Sequence, residues 1–316
     1  MLRAAAFALF CVALGFAAGP SRADPPPPDQ AQPAAVAFMA QSDRLAQAGD
    51  LDGALAALDR AIELAPSDHR AFIRRGMLRL AKGDFAGASA DLDTALELDP
   101  DKAEGHYYRA AAYAQQGDAA GAIAEYTKSL AIRASAPAFS NRAQQFASKR
   151  DIEPALADAE RAVALRGSGY DYYIRATIWE AKGDAARALA DLKQSLLARQ
   201  PFMAASATIC VVEAESGADL DRALSDCELV LATERGTTTG LGRLGRAVVR
   251  YRRGAWADAI ADCEAALKVW PNMSGAYFVK ALAEKQLGQS AIRDFAAAKA
   301  LNATVFEDFA VWGIKP

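Results

Sequence analysis

The residues able to do chemistry are few. Two histidines, His69 and His106, and four cysteines, Cys11, Cys210, Cys227 and Cys263, make up the whole stock of ring nitrogens and thiols in 316 residues. No cysteine stands near either histidine, so no zinc-ligand spacing is present. There is no Gly-rich phosphate loop, no Gly-x-Ser-x-Gly elbow and no His-Glu-x-x-His. The carboxylate pairs Asp91/Asp93 and Asp258/Asp262 fall in stretches with helical spacing whose outer faces must be polar, and they are read as ordinary solvated faces. This inventory names no catalytic residue, cofactor or metal ligand, and the function must be sought in surfaces.

The elements that form those surfaces are helices. The chain holds 77 alanines, the residue with the best helix propensity and one depleted in strands, which argues against a sheet-dominated architecture. With 36 Lys+Arg against 39 Asp+Glu, the net charge of −3 offers no basic footprint for a phosphate backbone, so a nucleic-acid partner is not expected.

The N-terminus reads as an export signal. Arg3 supplies the positive start, Ala4 to Ala18 is an almost unbroken apolar run, and Ser21-Arg22-Ala23 places small residues where a signal peptidase cuts. The run is short of the ~20 residues that span a bilayer, which favours cleavage over a membrane anchor and leaves no transmembrane segment afterwards. Residues 1–23 are thus expected to be a signal peptide, and residues 24–34, with Pro25 to Pro28 and Pro33, an extended Pro-rich linker that resists helix formation. The destination implied is a bacterial periplasm or the cell exterior.

Beyond the linker the chain repeats itself. The pair Ala61-Ile62 recurs as Ala95-Leu96, Ser129-Leu130, Ala162-Val163, Ser195-Leu196, Val230-Leu231 and Ala266-Leu267, at steps of 33 to 36 residues. A second marker keeps the same register: Gly49-Asp50, Gly83-Asp84, Gly117-Asp118, Arg150-Asp151, Gly183-Asp184, Ala218-Asp219, Gly254-Ala255 and Gly288-Gln289. Apolar residues on either side of this marker have helical spacing, so each unit is two helices joined by a turn. Glycine there closes the first helix in a left-handed conformation, and aspartate accepts amide hydrogen bonds at the start of the second. Small residues face each other across the pair, for example Gly76 and Ala88, or Ala110 and Ala122, which lets the helix axes approach closely.

In these features the sequence resembles the tetratricopeptide repeat family, whose 34-residue helix-turn-helix carries small residues at the same places and often ends in proline, as at Pro66, Pro100 and Pro271. The resemblance covers residues 35–303, about eight repeats. It implies an all-α fold, a right-handed superhelical solenoid, because one repeat cannot bury its own apolar face. Residues 304–316 follow as a C-terminal capping segment with Val305, Phe309 and Trp312 on one side; the rival reading is a tail that docks elsewhere.

The resemblance also implies a concave groove lined by the first helix of each repeat. Its candidate peptide-contacting residues are Arg70, Ile73, Met77, Tyr107, Tyr108, Asn141, Gln144, Tyr170, Tyr173 and Thr177. Tyrosine offers broad contact area with one polar tip, which suits an extended peptide, although the same rings could serve packing between repeats. From the sixth repeat onward the groove positions turn apolar, through Val212, Leu244, Val248, Phe278 and Leu282. Such a surface marks a partner site, self-association or a surface covered by the C-terminal segment.

Cys227 and Cys263 hold the same place in successive repeats, about 10 Å apart and too far to bridge. Cys210 and Cys227 face each other within one repeat, so a disulfide between them is feasible in an oxidising compartment; the alternative is three small buried core residues. The function expected is a protein- or peptide-binding scaffold or adaptor without catalysis. The alternatives are a self-associating scaffold of the cell envelope, hence a homo-oligomer, and a thiol-redox protein using Cys210 and Cys227.

Overall fold

A computed structural model describes residues 28–233 and 237–316, so the signal-peptide reading of residues 1–23 lies outside the described residues. Every regular element among them is a helix. The helices fall into two compact units, residues 28–149 and residues 150–316.

The first unit holds α1 (Pro28–Gln47), α2 (Leu51–Leu64), α3 (His69–Lys82), α4 (Phe85–Leu98), α5 (Ala103–Gln116), α6 (Ala119–Ile132) and α7 (Ala136–Ser148). The second holds α8 (Ile152–Leu165), α9 (Gly169–Ala181), α10 (Ala185–Leu197), α11 (Ala204–Ser216), α12 (Leu220–Thr233), α13 (Thr237–Arg252), α14 (Trp256–Val269), α15 (Ser274–Gln286), α16 (Ile292–Leu301) and the short α17 (Val305–Ala310). The alternation of helices matches the expected repeat.

The turn chemistry is as the residue types dictate. Gly83 takes the left-handed conformation (φ 80°), and its amide reaches back to the carbonyls of Arg79 and Leu80. Asp84 then caps α4 by accepting from the Gly87 amide at 2.9 Å, and Asp50 and Asp118 do the same for Gly53 and Gly121. Close helix approach follows from the small residues: a Cβ on Gly76 would stand 2.9 Å from Leu92 Cγ.

The linker reading needs a correction. Helix α1 begins at Pro28 and takes in the last seven residues assigned to an extended spacer. Pro28 occupies the first helical position, where a missing N–H costs nothing, and Pro33 lies in the second turn, where a single backbone bond is forgone.

A second correction concerns the carboxylates. Asp91 and Asp262 are only 3% and 4% exposed, while Asp93 and Asp258 face solvent as expected. Each buried aspartate is gripped by an arginine sixteen residues earlier on the partner helix. Arg75 Nε and Nη2 donate to the two Asp91 oxygens at 2.9 and 2.6 Å, and Arg246 meets Asp262 at 2.9 and 2.7 Å. Arg175 and Asp191 form the same fork at 2.7 Å on both arms, and Arg109 holds Glu125 at 3.0 and 2.8 Å. Arg79 and Arg250, one turn further along, add a third contact to Asp91 and Asp262. The bidentate geometry satisfies a carboxylate that burial would otherwise penalise. The outer arginine atoms reach across repeats, Arg75 to Asp59 and Arg109 to Asp93, so the clamp ties stacking to pairing.

Candidate functional site

Without a catalytic constellation, the candidate site is the face formed by the first helices of successive repeats. In the first unit this face belongs to α1, α3, α5 and α7. Tyr107 on α5 sits 5.2 Å from the Tyr108 ring and 5.6 Å from the Tyr126 ring, and the Asn141 amide on α7 donates to the Tyr107 hydroxyl at 3.0 Å. Tyr108 packs between the buried clusters around Ile73 and Leu80, and burial pushes its hydroxyl up to about 12, so it stays a neutral donor. Ile73 is buried, whereas Met77, Tyr107, Tyr108, Asn141 and Gln144 remain half-buried and Arg70 is exposed. Arg70 folds back onto Asp68, donating through Nε and Nη2 at 2.8 and 2.7 Å. The predicted residues of this unit therefore gather into an aromatic shelf with an amide-bearing rim.

Beside that shelf lies a buried polar node. The Glu125 carboxyl meets His106 Nδ1 at 2.7 Å and also accepts from Arg109 and Lys128. Burial alone would raise the Glu125 pKa, but the bonds from Lys128, His106 and Arg109 outweigh it and hold the group down at about 2. His106 is also tied through Nε2 to the Pro100 carbonyl at 3.0 Å, so it acts as a helix–helix tie.

In the second unit the predicted tyrosines are placed differently. Tyr173 is 2% exposed and packs on Phe202 at 4.6 Å, with burial pushing its hydroxyl up; Tyr170 meets the same ring at 5.6 Å but stays half-buried. Thr177 spends its hydroxyl on the Ile174 carbonyl at 2.8 Å. Of the three, Tyr173 is packing between repeats.

The apolar inner positions of this unit are covered by the chain's own end. Val305, Phe309 and Ile314 are at most 5% exposed and join the cluster of Leu244, Val248, Phe278 and Leu282. Phe309 stacks at 4.8 Å on Phe278, and Phe306 lies 5.1 Å from the same ring. The segment also runs past the last repeat. Arg252 on α13 donates to the Trp312 carbonyl at 2.8 Å, Val311 lies against the Gly183 turn, and Arg150 is paired with Asp308 and donates to the Thr304 carbonyl at 3.3 Å. Sequence reasoning missed Arg150 and Arg252. A signal existed for the first, because Arg150 stands where the other turns carry glycine and takes the same left-handed backbone (φ 63°).

Cys210 and Cys227 are joined in a disulfide with Cα atoms 5.0 Å apart, and both are fully buried. Gly245 of α13 packs on the bridge so closely that a Cβ there would fall 2.4 Å from the Cys210 sulfur. No attacking thiolate can reach sulfurs so enclosed, and the arrangement does not support the thiol-redox alternative. Cys263 is free and buried, and burial pushes its thiol up, away from reactivity.

Comparison with known proteins agrees with the fold. Residues 42–106 match the tetratricopeptide repeat family model. A tetratricopeptide repeat protein from Parabacteroides merdae superposes with a TM-score of 0.63 at 16% identity, covering 79% of this chain and 99% of that one. PilW, a type IV pilus biogenesis factor, gives 0.58 at 17% identity over 63% of this chain and 93% of its own. PilF of Pseudomonas aeruginosa gives 0.54 at 16% over 68% and 98%. No curated protein matches the chain in sequence. Residues 42–106 thus match the tetratricopeptide repeat model, and most of the chain shares the helical-repeat fold of the solved proteins above. Among the described residues no helix is long and apolar enough to cross a membrane.

Proposed function

We propose that this protein is an exported, non-catalytic adaptor that binds a peptide segment of a protein partner on the inner face of its first unit. The observation that carries the reading is the shelf of Tyr107 and Tyr108, rimmed by Asn141 and Gln144. These rings are half-exposed, they are held in place by a hydrogen bond and by ring contacts, and they carry hydroxyl groups for a backbone to meet. A rigid aromatic platform with adaptable amides loses little conformational entropy on binding.

Peptides selected by display against residues 24–316 are expected to bind the unaltered chain and to lose at least about tenfold in affinity, or ~1.4 kcal/mol, to the Asn141→Ala/Gln144→Ala variant. The melting transition should be nearly unchanged. Failure to enrich any peptide, or enrichment of peptides indifferent to both substitutions, overturns the reading.

Export is supported by the buried Cys210–Cys227 bridge, since disulfides persist in oxidising compartments. Cell fractionation should find the protein outside the cytoplasm with an N-terminus at Asp24. A reduced, full-length cytoplasmic species would remove this part of the proposal.

A further inference from the structure

The C-terminal segment does more than cover the last repeat. Residues 304–314 touch the turn before α8 through Arg150, the α9–α10 turn through Gly183, and the C-terminal end of α13 through Arg252. They leave the eighth repeat and run back to three earlier points of the same unit, at Arg150, Gly183 and Arg252. A cap needs to meet only the helix pair it covers. The segment also makes the contacts of a bound peptide: a short helix with Val305 and Phe309 one turn apart in an apolar pocket, a carboxylate in an arginine's grip, and a main-chain carbonyl held by a second arginine.

We propose that the inner face of the second unit is a receptor for a short acidic-aromatic helix of a partner protein, and that residues 304–314 are a built-in occupant of the same chemistry that holds the receptor closed. The inference rests on the reading of this fold as a peptide-binding scaffold but concerns a different face. The charge pattern defines the partner. Arg150 and Arg252 are the cations presented to the segment, so the guest must bring at least one carboxylate and two large apolar side chains four residues apart.

The occupant is tethered, so a free peptide must compete against an effective concentration in the millimolar range. A fluorescent peptide of residues 302–316 is therefore expected to bind the full mature chain at least about tenfold more weakly than the chain carrying Asp308→Lys/Phe309→Ser, whose own segment has lost its anchors. The same peptide carrying both substitutions should bind neither. Asn141→Ala/Gln144→Ala should leave this binding unchanged, which separates its failure from failure of the first-unit site. Equal binding to both chains, or to neither while circular dichroism shows the variant folded, overturns the proposal.

If the double variant does not fold, hydrogen exchange on the unaltered chain decides. Amides of Trp312 and Ile314 should exchange through an opening at least about a hundredfold more frequent than that of α13 and α15. Exchange of all four regions through one common opening would make the segment a fixed part of the core and end the idea.

Discussion

Arg75 and Asp91 meet as a planar fork between the two helices of one repeat, nitrogen to oxygen at 2.9 and 2.6 Å, with the carboxylate almost wholly buried. The fork recurs sixteen residues apart as Arg175/Asp191 and Arg246/Asp262, while at the same spacing Arg109 places two nitrogens on one oxygen of Glu125. Removing the cation strands a desolvated charge. Arg175→Met is accordingly expected to cost about 3 kcal/mol in a denaturant titration, whereas Arg175→Met with Asp191→Leu should recover most of that loss. A single and a double variant of equal stability would show that the fork contributes nothing.

The disulfide gives a second expectation. A bridge closing a loop of this length contributes about 3 kcal/mol, so reductant or Cys210→Ser should lower the unfolding free energy by roughly that amount. Gly245→Ala should destabilise by about 1–3 kcal/mol even in the oxidised protein, because the added methyl meets both sulfurs. Cys263 should react with a thiol reagent only after denaturation.

The two units answer acid and base in opposite directions. Glu125 in the first unit sits at about 2, below its unfolded value, so it contributes stability that is fully present above about pH 4.5 and is lost as pH falls toward 2. In the second unit burial raises Glu180 and Glu213 to about 7, and it raises Glu215 well above its usual range. Glu215 faces Glu180, Asp308 and Arg252, and Glu213 faces Asp226, Arg222 and Lys193. These acids are neutral when folded at mild acidity, and the second unit loses stability as pH rises from about 4.5 through 7. Hydrogen exchange at pH 5 and pH 8 should show α9 and α11 better protected at the lower value, after correction for intrinsic rates. Glu125→Gln should remove the acid sensitivity of α5 and α6.

Tyr173 tests the division between surface and core. Its ring is enclosed against Phe202, so Tyr173→Ala should cost about 3–5 kcal/mol, while Tyr170→Ala, half-exposed on the same ring, should cost much less. Comparable losses at both positions would place both tyrosines in the core.

Most of the architecture was legible because it repeats. A marker such as Gly83-Asp84 carries its own mechanism, a left-handed closure followed by a cap, and eight near-copies leave little room for another fold. Asp91 and Asp262 were misread because helical periodicity assigns a residue to a face without saying which neighbour stands there; the arginine sixteen residues earlier is the missing information. Tyr173 and Tyr107 occupy equivalent positions, and only the presence of Phe202 beside the first buries it. The reach of the C-terminal segment was illegible for a related reason. It depends on how strongly the helix stack curves, a sum of small rotations that no local pattern encodes.

Arg150 has a final consequence. Seven other turns carry glycine in the left-handed conformation, and at this one an arginine accepts that backbone and places its guanidinium against Asp308. An open array of repeats can lose or gain a member, because each contacts only its neighbours. Here a change of length would break a contact: deleting or inserting one repeat between Arg150 and Asp308 would shift their separation by about the width of a helix pair, ~10–20 Å from axial spacings of 8–10 Å. The contact is thus made only with the present number of repeats in the second unit.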